Sequence, residues 1–302
     1  MNTTPHVTFL GPPGATFSHD AYRICTKRFG GPEVITSGSF KNYLQPHDNE
    51  HILPLVGAHG GYGVIAMETQ AECRVTESVD SFIDLVKLYE SSEQCPFIVA
   101  GAINMRISFH LMVNASVPSP SFNKIDKVIA HPKALGACSH MLNTLAIDSI
   151  PLKEGNGEAA RRIAEDPAYK HHAVLGPKSA SETYGLRILR NNCENEEAVT
   201  TFFFITPKDY PVCVAAHNRV LIAFKIPQNY PGALVDILLS YKKHGINMID
   251  IHSRGRGSKV FDFGLQFEVP YDQILAFKRA FEESRKFMSE HIVFGPFQTI
   301  NV

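Results

Sequence analysis

The sequence lacks the features that mark secreted, metal-binding and membrane proteins. Its six cysteines are spread singly, and because no pair has C-x-x-C spacing, neither a zinc site nor a disulfide framework is predicted. No stretch approaches the roughly 18 consecutive apolar residues of a membrane span. Residues Met1 to His6 have no basic start of the kind found in signal peptides. These absences predict a protein of the reducing cytoplasm.

A charge excess is also missing, with 29 lysines and arginines against 30 aspartates and glutamates. This balance favours neither nucleic acid nor a membrane surface as a partner. The fourteen histidines include no H-E-x-x-H motif, so we expect no metal and no cofactor. The 302 residues, 44% of them apolar, are enough for two globular domains.

One stretch of β-branched and aromatic residues, Ala198 to Ile205, predicts a buried strand. Thr200 and Thr201 lie near its start, where two hydroxyls could handle one proton or one oxygen. Threonine is also a favourable strand residue in its own right, so the residues alone leave both interpretations open.

The N-terminal segment predicts a strand, a turn and a helix. A short apolar strand over 6–10 leads into the Gly/Pro turn 11–15, and Ser18 is expected to cap the helix that follows. Free backbone N–H groups at such a helix start favour an anion. An ordinary βα turn is the alternative, because any α/β protein has several.

Strand and helix patterns alternate as far as residue 206. Buried strands are predicted at 64–67, twice within 97–113, at 125–130 and at 172–175. Helices are predicted at 79–89, at 131–145, from 155 onward and at 179–184. This order predicts an α/β protein with two lobes, mostly parallel sheets and a cleft in which a small ligand binds.

The remaining residues form a plausible linker, 207–217, and a second domain, 218–302. Its predicted strands span 218–225, 247–253, 259–268 and 291–299, and its helices span 232–243 and 271–287. The resulting βαββαβ order is that of a ferredoxin-like domain.

Six segments, taken in order, resemble the prephenate dehydratase family. They are Thr16-Phe17-Ser18, Glu68-Thr69-Gln70 with Thr76, the segment around His110, His131 to Leu135, Tyr184-Gly185-Leu186, and Thr200-Thr201-Phe202. The resemblance implies a periplasmic-binding-protein-like catalytic domain over 1–206, with prephenate as substrate and Thr200 and Glu68 as catalytic residues. The substrate-binding residues it implies are Thr16, Phe17, Ser18, Thr69, Gln70, Thr76, Asn156, Thr201 and Phe202.

Several pocket positions depart from the family pattern. Thr201 replaces an arginine, Thr69 and Gln70 replace asparagine and serine, and Asn156 and Gly157 stand where the family usually has serine or threonine. One extra residue also precedes Thr16. A scaffold that is retained while its pocket changes suggests the same substrate and different chemistry.

The change at Thr201 bears on how the reaction ends. Arginine grips a carboxylate with two parallel hydrogen bonds, whereas threonine offers one neutral hydroxyl. Departure of hydroxide then lacks electrostatic help, so protonation of a ring carbon can compete. We therefore expect a non-aromatising prephenate decarboxylase, a carboxy-lyase that gives a dihydro-4-hydroxyphenylpyruvate for specialised metabolites such as antibiotics.

Two alternatives remain open. Retention of Thr200 favours an ordinary prephenate dehydratase, a hydro-lyase that makes phenylpyruvate for phenylalanine biosynthesis. A chain that has lost catalysis and acts as an amino-acid-binding sensor is the other alternative, because two-lobed clefts also bind without reacting.

The C-terminal domain resembles an ACT domain, the family's regulatory module that binds amino acids. Gly232, Ala233, Leu234 and Asn247 are the effector-binding residues that this resemblance implies. A homodimer or homotetramer is implied as well. His252 and Gly255 replace the glutamate and proline of a Glu-Ser-Arg-Pro motif, so phenylalanine is expected to bind weakly or not at all.

Overall fold

The computed structural model describes residues 5–32, 43–46, 48–70, 74–117, 122–212, 217–227, 230–257 and 261–302. The strands within these ranges are β1 Val7–Thr8, β2 Tyr43–Leu44, β3 Tyr62–Thr69, β4 Phe97–Ile107, β5 His110–Asn114, β6 Val128–Ala130, β7 Ser149–Pro151, β8 Ala173–Gly176, β9 Leu186–Arg190, β10 Ala198–Pro207, β11 Arg219–Lys225, β12 Asn247–Gly255, β13 Phe261–Glu268 and β14 His291–Asn301. The helices are α1 Phe17–Phe29, α2 Ile52–His59, α3 Thr76–Leu88, α4 Pro132–Ala137, α5 Ser139–Leu145, α6 Asn156–Glu165, α7 Lys178–Tyr184, α8 Ala233–Lys243 and α9 Ile274–Arg285.

The chain forms two lobes and passes between them twice. Lobe 1 contains β1 to β4, β10 and α1 to α3; lobe 2 contains β5 to β9 and α4 to α7. The chain leaves lobe 1 after β4 and returns along β10, which lies between β4 and β3. The strands of lobe 2 are ordered β7-β6-β8-β5-β9. The predicted two-lobed α/β architecture is confirmed.

The sheets of both lobes are mixed, which corrects the expectation of mostly parallel strands. β1 runs parallel to β2 and β3, and β6 runs parallel to β7 and β8. β10 is antiparallel to both β3 and β4, and β5 is antiparallel to both β8 and β9. The antiparallel pairs arise because the strands that enter and leave the crossings run in opposite directions.

Residues 219–301, called the C-terminal module here, have the predicted βαββαβ order and the sheet order β12-β13-β11-β14. The end of β14 runs parallel to β4, with Gln298 beside Gly101 and Asn301 beside Asn104. The module and lobe 1 therefore share one nine-stranded sheet.

One predicted helix is divided. The pattern over 131–145 predicts a single helix, but Cys138, at φ −110° and ψ 16°, separates α4 from α5. The Cys138 side chain is buried in the core between the lobes. The chain therefore leaves helical geometry at Cys138, whose side chain is packed in this core.

Candidate active site

Strand β10 presents its two threonines to opposite faces of the lobe 1 sheet. Thr200 lies opposite Met105 of β4 and shares its face with Phe202, which packs in the core that runs into lobe 2. Thr201 shares its face with Phe203, which packs in the core beneath the C-terminal module. The two neighbouring residues therefore face different parts of the molecule.

Thr200 is buried, with 6% of its surface exposed, and lies directly opposite Thr69 of β3. The backbone N–H of Gln70 donates to the carbonyl of Val199 at 2.8 Å, which holds the two strand ends together. The predicted neighbours Thr200, Thr69 and Gln70 are brought together, although the Gln70 side chain is exposed. Phe202 is a core residue at 2% exposure.

Thr201 donates a hydrogen bond from its hydroxyl to Asn104 Oδ1 at 2.9 Å. The Asn104 amide donates in turn to Asn301 Oδ1 at 2.9 Å. Thr201 is thus part of a polar link between β10 and the last strand of the module. The structure does not bring it together with Thr200 on one wall of a site.

Glu68 lies on the other face of the sheet from Thr200, although the two are predicted to act in one site. β10 pairs Phe202 with Ala66 but Thr201 with Glu68, so Met67 is an extra residue in β3. This bulge breaks the alternation of the strand and places Glu68 on the face of Thr201. Its carboxylate accepts from Gln266 at 3.1 Å and pairs with Arg219 at 3.4 Å. Both partners belong to the C-terminal module.

A helix does begin at the predicted Thr16-Phe17-Ser18 segment, but Thr16, not Ser18, is its N-cap. The Thr16 hydroxyl accepts from the His19 backbone N–H at 3.2 Å and donates to the Leu10 carbonyl at 2.7 Å. Ser18 is buried in the first turn of α1. Phe17 packs edge-on against Phe109, in the crossing between the lobes, at a ring separation of 5.2 Å.

Asn156 and Thr76 each begin a helix. Asn156 Oδ1 accepts from the His131 backbone N–H at 2.7 Å, which ties the start of α6 to the start of α4. Thr76 begins α3 with an exposed side chain, after Val75 donates to the Met67 carbonyl at 2.9 Å. The segment between Gln70 and Thr76 includes 71–73, which lie outside the described residues.

Two titratable groups near the lobe junction were not predicted as site residues. Asp20, in the first turn of α1, accepts from Ser179 of lobe 2 at 2.8 Å, and burial raises the pKa of its carboxyl to about 6. Burial lowers the pKa of His110, which begins β5, so its ring is neutral near pH 7. The first-turn position of Asp20, four residues after Thr16, was the available signal.

A ladder of alternating charges joins β12 to lobe 1. Arg74 pairs with Asp250, and its Nη1 lies 3.1 Å from His252 Nδ1. His252 Nε2 lies 2.9 Å from Asp80 Oδ1. Because a guanidinium can only donate, Nδ1 accepts and Nε2 carries the hydrogen that Asp80 receives.

The ladder continues along α3. Arg254 lies 2.6 Å from Asp84 and 3.5 Å from Asp80, while Arg256 pairs with the fully buried Asp262. Two residues of a strand advance about 6.7 Å and four residues of a helix about 6 Å. Because these two distances are similar, His252 and Arg254, two residues apart in the strand, can pair with Asp80 and Asp84, four residues apart in the helix.

The predicted effector residues line two separate cavities of the module. Gly232, Ala233 and Leu234 line a cavity of about 270 Å³ at the start of α8, together with Phe261. Asn247 lines another, of about 410 Å³, near the end of α8. Within one chain, the four residues therefore do not form a single site.

Comparisons with known proteins agree with this architecture. The family model described as prephenate dehydratase matches residues 7–210. The chain is 28% identical over 262 residues to a bifunctional chorismate mutase/prephenate dehydratase of Aquifex aeolicus (strain VF5), covering 85% of this chain and 63% of that protein. It spans about six-tenths of the length of the curated relatives it matches first.

Solved structures share the fold. A prephenate dehydratase from Arthrobacter aurescens, solved with L-Phe, superposes with a TM-score of 0.74 at 19% identity, covering 95% of this chain and 89% of the other. GqqA, described as a novel type of quorum quenching acylase, superposes at 0.73 and 20% identity, covering 95% and 97%. None of the described helices is both long and apolar enough to span a bilayer. With two thirds of its length matched by the family model, the chain belongs to the prephenate dehydratase family.

Proposed function

We propose that this chain binds prephenate at the junction of its two lobes and dehydrates it to phenylpyruvate. The orientation of β10 carries the proposal: Thr200, the threonine of the family signature, faces lobe 2, whereas Thr201 faces Asn104 and the module. The replaced arginine position therefore lies on the other side of the sheet from Thr200. Its loss is a weak argument for altered chemistry at Thr200.

The proposed reaction balances as prephenate dianion plus one proton giving phenylpyruvate, CO2 and water. The bond between the ring and its carboxylate breaks, and its electron pair makes the ring aromatic as the C–O bond to the ring hydroxyl breaks. That oxygen takes up the proton and leaves as water. Hydroxide is a poor leaving group, so hydrogen-bond donation to this oxygen lowers the barrier. The Thr200 hydroxyl, beside Thr69, is the group to which we assign this contact.

Non-aromatising decarboxylation is the second candidate. It is favoured by the start of α6, where the family usually has hydroxyl side chains. Here Asn156 Oδ1 accepts from His131, and Gly157 has no side chain. With fewer donors for the ring hydroxyl, a ring carbon takes the proton and the hydroxyl stays.

Product analysis separates these functions. Prephenate is incubated with the protein, released CO2 is measured, and the product is identified by NMR. Phenylpyruvate as the main product supports dehydration. A dihydro-4-hydroxyphenylpyruvate as the main product would contradict dehydration and support non-aromatising decarboxylation. Absence of CO2 release would leave a binding protein without catalysis. Thr201→Arg should leave the product unchanged, because position 201 faces away from Thr200.

We also propose that the C-terminal module is an ACT domain, that it supports a homodimer or homotetramer, and that phenylalanine binds it weakly or not at all. His252, at the position of the motif's glutamate, already bonds Arg74 and Asp80. Calorimetric titration with phenylalanine tests the binding, and a micromolar site would contradict it. Sedimentation measures the assembly.

A further inference from the structure

The turn from Gly11 to Thr16 belongs to lobe 1 by sequence but packs into lobe 2. It follows β1 and precedes α1, both in lobe 1. Ala15, next to its last residue, is fully buried in a cluster with Ile129 and Val174 of the lobe 2 sheet. The turn therefore inserts between the lobes and does not merely border their junction.

Gly157, the second residue of α6, faces this turn at very short range. A Cβ atom on Gly157 would lie 2.5 Å from Pro12 Cδ, 3.0 Å from Pro12 Cγ and 3.0 Å from Thr16 Cγ2. Its backbone is helical, a conformation that any L-residue adopts. Glycine is therefore required here by the proline ring and not by the backbone.

Hydrogen bonds across the lobes flank this contact. Thr183 of α7 donates to the Gly14 carbonyl at 2.6 Å, and Ser179 donates to Asp20 at 2.8 Å. A displacement of the turn by a few tenths of an ångström would strain the bond to Gly14 directly, while the Ser179 bond holds the following helix α1 against lobe 2. The turn is thus fixed from two sides with Pro12 against Gly157 between them.

We propose that Pro12 and Gly157 form a matched pair that sets the separation of the lobes. The pair also prevents a side chain at position 157, in the first turn of α6, from contacting a ligand. Pro12 fills the space that a serine or threonine at 157 would need. A ring-sized ligand is then held mainly from β3 and β10. The ligand in this statement is prephenate, so this part rests on the proposed function; the steric pairing does not.

A double-mutant cycle tests the pair. Gly157→Ala, Pro12→Ala and the double variant are compared with Gly136→Ala, a helix glycine whose added Cβ would meet nothing within 4 Å. Gly157→Ala should lower kcat/KM for prephenate by about tenfold or more, chiefly through kcat, since it displaces the walls of the site. Gly136→Ala should change it less than about twofold, and Gly157→Ala in the Pro12→Ala background less than about threefold.

Hydrogen exchange of the Gly14 and Ala15 amides gives a readout that needs no turnover. Exchange should speed up in Gly157→Ala, stay unchanged in Gly136→Ala, and not respond to Gly157→Ala once Pro12 is alanine. Equal effects of Gly157→Ala in both backgrounds would overturn the pairing. If Gly157→Ala does not fold, recovery of folding in the double variant supports the pair and failure to recover contradicts it. A wild-type protein inactive on prephenate overturns only the proposed function, because the exchange comparison still decides the pairing.

Discussion

Lobe 1 contacts its two neighbours by different physical means. Against lobe 2 it presents a turn held by steric fit and a hydrogen bond, with Pro12 against Gly157 and Thr183 donating to the Gly14 carbonyl. Against the C-terminal module, beside the strand pairing and the apolar core that they share, it presents charges, with Asp80 and Asp84 facing His252, Arg254 and Arg256. The first contact fails when volume changes. The charged part of the second contact weakens when charge or ionic strength changes.

The difference indicates which contact is close to chemistry. A junction built on fit fixes atoms to within tenths of an ångström, as a reacting ligand requires. A charge ladder fixes a module in place but tolerates small shifts, because Coulomb energy varies slowly with distance. We therefore expect activity to depend mainly on the lobe junction and stability to depend on both contacts.

The two faces of β10 give the largest expected contrast. Thr200→Val removes the hydroxyl that faces lobe 2 and should lower kcat/KM for prephenate by about 100-fold, in line with loss of one donor to a developing oxyanion. Thr201→Val, the matched control on the other face, removes only the bond to Asn104. It should lower activity less than about threefold. Equal losses from both variants would contradict the assignment of the faces.

The lobe junction also contains a titratable group whose effect on stability has a definite sign. Burial raises the pKa of the Asp20 carboxyl to about 6, and Glu182 also raises it, while the Ser179 hydrogen bond and Arg23 lower it. The folded state therefore holds the proton more tightly than the unfolded state, and this contribution is lost as pH rises from about 4 to 6. Over this range the free energy of unfolding should fall by about 3 kcal/mol in total.

Denaturant unfolding of the wild type and Asp20→Asn across this pH range measures it. The amide can still accept the Ser179 hydrogen bond, so the variant should become relatively more stable as pH rises. Parallel pH profiles for the two proteins would rule out the assigned cause.

At the charge ladder, His252→Glu should lower the free energy of unfolding by about 1–3 kcal/mol, because it sets a second carboxylate against Asp80. Asp80→Asn in the same chain should restore most of the loss. His252→Gln, which can still accept from Arg74 and donate to Asp80, is the matched control and should lie near the wild type. An unrescued double variant would show that the loss has another origin.

Salt gives the smallest and most selective effect. Raising ionic strength from about 0.1 M to 1 M shortens the Debye length from about 10 Å to 3 Å. The ladder should weaken by about 1 kcal/mol, whereas the Pro12–Gly157 contact should not respond. Hydrogen exchange of β12 amides, compared with that of the Gly14 and Ala15 amides, measures both contacts in one sample. Matching salt responses at the two places would remove the distinction between them.

Local sequence patterns predicted the elements, and failed where distant residues decide. The unbroken run of β-branched and aromatic residues from Ala198 to Ile205 was sufficient to predict a buried strand. The face of the sheet on which Glu68 lies was not predictable, because Met67 is recognised as an extra residue only once β3 is paired with β10. Likewise, Ser18 has the chemistry of an N-cap, but the path of the turn decided that the His19 N–H donates to Thr16 instead.

The charge ladder shows the same limit over a longer distance. His252 and Asp80 are 172 residues apart, so neither local charge spacing nor periodicity indicates that they meet. Sequence interpretation could identify His252 only as a departure from a motif. The contact gives that departure a physical role in docking β12 to α3.

The pairing of β14 with β4 has a consequence for the independence of the catalytic region. Gln298 to Asn301 cover Gly101 to Asn104, and without them β4 becomes an open edge with unpaired N–H and C=O groups. Without the module, the core that it shares with lobe 1 would also lose apolar residues such as Leu221 and Phe294. A chain ending near residue 207 should therefore self-associate or aggregate. What looks in sequence like a detachable appendage is in this fold the cover of a sheet edge.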